Sequence, residues 1–174
     1  MRASHTLKRT ADLLTLIRFV GVLVVPLVGL AEGPSAVAGT GGWLLLLLWM
    51  TDLFDGQLAR RSGLAGEGRL AELDGWADLL LALSGFTLLT ITGFVSPLVW
   101  AVVTLATLVL VRVDFLVFQG IASFFLSVFY FWTAIRQDST FLVLLAAFLG
   151  IHALLSRERF VFLWNRFWGH VWLR

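Results

Sequence analysis

From Leu79 to Val111 the chain runs 33 residues without a single Asp, Glu, Lys, Arg or His. As helix that is roughly 50 Å at 1.5 Å per residue, too long for one passage through a hydrocarbon layer of about 30 Å. Thr92-Gly93 and Ser96-Pro97 divide the run, which predicts two spans, over 72–93 and 97–117. The rest of the chain agrees. It is 59% apolar and 14% charged, against about 45–50% and 25% for a soluble domain. A water-facing globular domain and a disordered chain are both excluded. The absence of Cys removes disulfides, thiolate metal sites and Cys nucleophiles. The sequence pI of 9.9 accompanies a net charge of only +2 and no basic run, so the expected partner is a lipid bilayer and not nucleic acid.

Four further apolar runs bring the expected spans to six: about Leu14–Leu30, a second starting near Gly41 and passing through Trp43–Met50, Phe115–Ile135 and Ser139–Ser156. Asp12 and Arg18 interrupt what would otherwise resemble a cleaved leader ending at Ala36-Val37-Ala38. With the N-terminus inside, the cytoplasmic parts carry Arg2, Lys8, Arg9, Arg60, Arg61, Arg69 and the tail arginines, while the outer loops carry only Arg136. That asymmetry puts both termini on the cytoplasmic side. Residues 4–13 are expected to form a short helix on the membrane surface. The tail 157–174 sets Phe160, Trp164, Phe167, Trp168, Val171 and Trp172 on one helical face, with Arg159, Arg166, His170 and Arg174 on another. This is the pattern of an interfacial amphipathic helix. The expectation is an all-α integral membrane protein forming one domain over 1–174, with six transmembrane helices and interfacial helices at both termini.

The chemistry concentrates between Thr51 and Asp78. On a helix, Asp52, Asp55, Gly56, Ala59 and Arg60 stand three or four residues apart and share a face, as do Asp74 and Asp78. The short connection between the two segments makes the helices antiparallel neighbours, so four carboxylates converge near the cytoplasmic edge. Mutual repulsion and partial burial oppose four ionised carboxylates. Two hard divalent cations remove both penalties, and an all-oxygen ligand set suits Mg²⁺, Mn²⁺ or Ca²⁺. Arg60 matches a phosphate, and Gly56 and Ala59 leave room for a ligand against the backbone. The residues point to a metal-assisted phosphate site in a membrane. The plainer alternative, that these acids are the wet ends of two helices, accounts for one or two of them but not for two facial pairs with an Arg and two small residues on the same stripe.

These residues resemble the signature of the CDP-alcohol phosphotransferase family, DxxDGxxAR followed by GxxxDxxxD. Asp52, Asp55, Gly56, Ala59, Arg60, Asp74 and Asp78 all stand in place. Thr15, Arg18 and Pro26 are similar to the family's first helix, which often reads PNxxTxxR and then Pro. Leu70 stands where the pattern has Gly, after nine residues instead of eight, and Leu79 follows the last Asp where a Lys is frequent. The resemblance implies that Asp52, Asp55, Asp74 and Asp78 hold two Mg²⁺ or Mn²⁺ ions and, through them, the diphosphate of CDP-diacylglycerol. It further implies that Gly56 and Ala59 make space for cytidine, that Arg60 contacts the diphosphate, and that Asp78 is the general base. An alcohol acceptor would attack phosphorus and release CMP, in phospholipid biosynthesis, within a homodimer.

Arg112 and Asp114 interrupt an otherwise apolar region. Either they pair with each other, or Arg112 faces an acceptor phosphate. The second reading makes glycerol 3-phosphate the leading acceptor, although Phe115–Ile135 holds no further basic residue. Two other classes stand beside a phosphatidyltransferase: a non-catalytic relative that binds nucleotide or metal, supported by Leu70, and a cation transporter using the carboxylates as an ion path.

Overall fold

The computed structural model describes the backbone of residues 2–62, 69–143, 146–147 and 150, and side chains at 10, 12–51, 73, 75–143, 146–147 and 150. Five long helices follow one another: α1 (Arg2–Glu32), α2 (Thr40–Ser62), α3 (Arg69–Ile91), α4 (Pro97–Val111) and α5 (Phe115–Gln137). A 3₁₀ turn, Gly33–Ala36, joins the first two. No strand occurs among the described residues. Backbone helix resumes over 140–143, at the start of the sixth expected span; the remainder of that span is only partly described, and the tail 157–174 lies outside the described residues.

The break inside the long uncharged run is made by local chemistry. Gly93 adopts φ +85°, the left-handed conformation that Gly takes without a Cβ penalty. Its N–H bonds Thr90 O at 3.1 Å and the Phe94 N–H bonds Leu89 O at 2.8 Å, the paired bonds of a Schellman stop. Ser96 then caps α4, its Oγ accepting from the Val99 N–H at 3.3 Å, with Pro97 at the first helical position. The far end of α4 differs from expectation. The helix stops at Val111 and not at 117, because the Asp114 carboxylate accepts from the Val117 N–H at 3.2 Å and starts α5 at Phe115. Hydropathy is continuous up to Val111, but an Asp N-cap is a stronger boundary than a change in hydropathy. At the N-terminus, the separate surface helix expected over 4–13 is replaced by continuous helix from Arg2. No Gly or Pro lies between residues 2 and 20 to break it.

Neighbouring contacts give the directions. Arg18 meets Asp78, and Val22 meets Ser84, so α1 and α3 run parallel. Gly75 meets Phe115, and Phe86 meets Phe129, so α3 and α5 also run parallel. Trp100 Nε1 donates to Thr87 Oγ1 at 2.9 Å, across the antiparallel α3–α4 hairpin. The start of α3, the α4–α5 turn and the C-terminal end of α2 therefore share one end of the bundle. Leu45, Leu81, Leu88, Leu89, Phe131 and Phe141 form the interior. Tyr130 ties α5 to the α1–α2 connection, its hydroxyl donating to Val37 O at 2.7 Å.

The outside is as apolar as the inside. Leu16, Val20, Leu23, Leu27 and Leu30 form an exposed stripe on α1, and Leu98, Val102, Leu105 and Val109 another on α4. Patches of this extent are not left facing water. Two helical segments, Asp12–Ala36 and Phe115–Gln137, are long and apolar enough to cross a bilayer, and Thr40–Thr51, Gly75–Ile91 and Pro97–Val111 are shorter apolar helices.

Pro26 lies inside α1 and deprives the Val22 carbonyl of its helical donor. Ser84 Oγ, on α3, donates to that same carbonyl at 2.8 Å. In lipid no water would replace the bond. Ser84→Ala is expected to cost about 1 kcal/mol, read as a lower unfolding temperature in detergent. At the opposite end, Asp138 accepts from the Thr140 N–H at 2.9 Å, and that backbone bond, with a side-chain bond to Thr140, holds its carboxyl below the usual range. Its contribution is complete at neutral pH and is lost as pH falls through that lowered value. Acidification should therefore speed amide exchange at residues 140–142 before it does so within α3.

Candidate active site

The site is assembled at the end of the bundle where α2 finishes and α3 begins. Asp52, Asp55, Gly56, Ala59 and Arg60 lie within the last turns of α2, so the helical spacing assumed for them holds in the backbone. Asp74 and Asp78 lie in the first turns of α3. The side chains of Asp52, Asp55, Ala59, Arg60 and Asp74 lie outside the described residues, as do the loop 63–68 with Gly66 and Gly68 and the side chain of Leu70. The two helices enter the site antiparallel: Leu45 and Trp49 on α2 face Gly85, Ala82 and Leu81 on α3.

Asp78 is the acid whose surroundings are described. Its Oδ1 accepts from Arg18 Nη1 of α1, with the Arg18 side chain fully buried and that of Asp78 16% exposed. Arg18 Nη2 lies 3.4 Å from Thr15 Oγ1, one helical turn back and also buried. A guanidinium held inside an apolar bundle requires a carboxylate beside it. The pair thus fixes both the depth of Arg18 and the position of Asp78 on the α1–α3 seam. Thr15 and Arg18, which matched only as parts of a sequence pattern, are part of the site. Sequence reasoning left Arg18 out of it, although a lone charge in the middle of an apolar span is a functional signal in itself.

Arg112 is at the C-cap of α4, exposed, in the turn that leads into α5. That turn is on the acid-bearing end: Phe115 packs on Trp76 with ring centroids 4.8 Å apart, and its ring would be 2.9 Å from a β-carbon on Gly75. Asp114 serves as the N-cap of α5. Among the described residues Arg112 forms no ion pair with it or with any other acid, so the mutual-pair alternative is not realised.

An all-helical bundle with apolar outer stripes and a buried Arg–Asp pair at one end defines a membrane protein with a polar site at the mouth of its helices. The chain belongs to the CDP-alcohol phosphatidyltransferase family, whose model matches residues 8–172. Membership makes it a membrane transferase of phospholipid biosynthesis, passing a phosphatidyl-type group from a CDP-alcohol to an alcohol. No curated protein and no solved structure matches it at a significant level.

Breaking the buried pair is costly, while removing both charges is less so. Arg18→Gln is expected to destabilise the protein by about 3 kcal/mol. The double variant Arg18→Leu/Asp78→Leu should recover most of that loss, as measured by thermal unfolding in one detergent.

Proposed function

We propose that this chain is a metal-dependent phosphatidyltransferase that moves the phosphatidyl group of CDP-diacylglycerol to an alcohol, with glycerol 3-phosphate the leading acceptor. The observation that carries this reading is the position of Asp78: partly buried, paired with Arg18, and at the end of the bundle where the Asp52–Arg60 segment of α2 terminates. The donor set fits hard divalent cations, being four carboxylates in a chain without Cys. Asp52, Asp55, Asp74 and Asp78 would hold two Mg²⁺ or Mn²⁺ ions, which supply charge neutralisation at the diphosphate.

The chain's own residues do the rest. Gly56 and Ala59 leave the α2 backbone open to the cytidine, and Arg60 meets the diphosphate through its planar fork. Asp78 accepts the proton of the acceptor hydroxyl as the new oxygen–phosphorus bond forms and the bond from phosphorus to the CMP oxygen breaks. Arg18, behind Asp78, keeps that carboxylate in line. Arg112, at the rim, faces the acceptor phosphate. Positioning and electrostatic complementarity supply the rate enhancement.

The alternating helix directions support six crossings, with 139–156 as the last. The distribution of Lys and Arg supports a cytoplasmic site and cytoplasmic termini. A single domain over 1–174 and a homodimer complete the proposal.

Purified protein given CDP-diacylglycerol, Mg²⁺ or Mn²⁺ and glycerol 3-phosphate should release CMP. EDTA should abolish release, and Asp55→Asn and Asp78→Asn should each lower it at least a hundredfold. Unchanged turnover in both variants would overturn the assignment.

A further inference from the structure

α5 presents a polar file that its hydropathy conceals. Gln119, Ser123 and Ser127 follow at four-residue intervals, within an arc of about 80° on a helix of 3.6 residues per turn. Tyr130 falls on the same arc, and its contacts give the direction. A β-carbon on Gly85 of α3 would stand 3.1 Å from Leu45 of α2 and 3.4 Å from the Tyr130 ring. Ser127 lines the small apolar gap between α2, α3 and α5, together with Trp49, Leu81 and Gly85. Gln119 is nearer the acid-bearing end, with its Oε1 3.6 Å from where a β-carbon on Gly75 would stand. Gly75 lies between Asp74 and Asp78 in sequence. The file therefore descends from the gap to the level of the acids. On the same helical faces, α3 passes from Gly85 to positions 78 and 74, and α2 from Trp49 to positions 52 and 56.

One polar group of this file, the Ser123 hydroxyl, is unmet, whereas Tyr130 donates to Val37 O. Gln119 is 4% exposed. Ser123 Oγ is sealed from solvent and has no partner among the described residues. Elsewhere in the bundle Thr87, Thr90 and Thr133 each donate to the carbonyl four residues back, the usual resort of a hydroxyl in an apolar helix, while Thr104 Oγ1 on α4 is buried without a partner among the described residues, as Ser123 Oγ is. A buried hydroxyl without a partner destabilises a fold relative to an apolar residue of the same shape, and a buried amide such as Gln119 calls for partners in the same way. Such groups are matched by a ligand that both donates and accepts, as an alcohol does.

We propose that Gln119 and Ser123 form the wall that holds the hydroxyl groups of the acceptor, a neutral subsite beside Asp78 that sets which alcohol is used. This rests on the transferase reading above. α5 contributes no cation between 115 and 135, so an acceptor phosphate is met at the rim by Arg112 and the hydroxyls are met inside. A site built to bond a hydroxyl discriminates strongly against an analogue that lacks it.

The test is steady-state CMP release by the full chain in detergent, with CDP-diacylglycerol and Mn²⁺. Glycerol 3-phosphate, glycerol, myo-inositol 1-phosphate and serine serve as acceptor probes, and 3-hydroxypropyl phosphate serves as the analogue lacking the secondary hydroxyl of glycerol 3-phosphate. Gln119→Leu and Ser123→Ala should each raise the acceptor KM at least tenfold, leave the CDP-diacylglycerol KM within twofold, and erase the preference for glycerol 3-phosphate over the analogue. That preference is a ratio within each preparation, so it is independent of how much of a variant folds. Acceptor and donor KM moving together, or an unmoved acceptor KM in an active protein, would overturn the wall and leave the transferase standing. A wild type silent with every acceptor would overturn both.

Discussion

The pairing of Arg18 with Asp78 is the constraint on which the rest of the bundle depends. A guanidinium fully buried among apolar helices is tolerated only beside a carboxylate, and the two lie 60 residues apart in the chain. Satisfying one charge therefore draws the start of α3 against the middle of α1. That in turn brings α3 antiparallel to α2, whose last turns carry Asp52 to Arg60. The acid-bearing ends meet as a consequence of burying an arginine. The same contact gives Asp78 a defined position before any substrate arrives.

Other polar contacts cross the interior sparingly, and each meets a specific need. Tyr130 satisfies the Val37 carbonyl at the foot of α2, and Trp100 places its indole N–H on Thr87. In a medium without competing water, each such bond replaces an unmet group and not a hydrated one. Against this economy, among the described residues the buried hydroxyls of Ser123 on α5 and Thr104 on α4 are left without a partner, and the Ser123 hydroxyl follows Gln119 on the face of α5 that reaches Gly75.

How much was legible in the sequence depended on how local the governing chemistry was. The break at Gly93 and Ser96-Pro97 could be read directly, because a left-handed Gly and a Ser cap act within a few residues. The end of α4 could not be read from hydropathy, which is unbroken to Val111; the boundary is set by the Asp114 cap. The continuity of α1 from Arg2 was missed because basic residues near an apolar run suggested a surface helix, although nothing in the segment breaks a helix. The facial spacing of the acids followed from helix geometry alone, and the backbone agrees. The partner of Asp78 did not follow, since no local pattern reports a contact across 60 residues. Gln119 was passed over for a related reason: one amide and two serines barely alter the hydropathy of a 23-residue helix, and only the neighbours of α5 reveal which way they face.

The bond from Ser84 to the Val22 carbonyl has a consequence for how the two parallel helices can move. Arg18 and Val22 are one turn apart on α1, and their partners on α3 are six residues apart. Two fixed points on each rod determine both its axial setting and its rotation. Sliding α1 by one turn, about 5.4 Å, would break both contacts, and turning it by one residue, about 100°, would carry the freed carbonyl away from the serine. The proline thus acts as an index mark. By opening a single carbonyl, it makes one alignment of α1 and α3 distinguishable from every neighbouring one, in an apolar interface that would otherwise accept several.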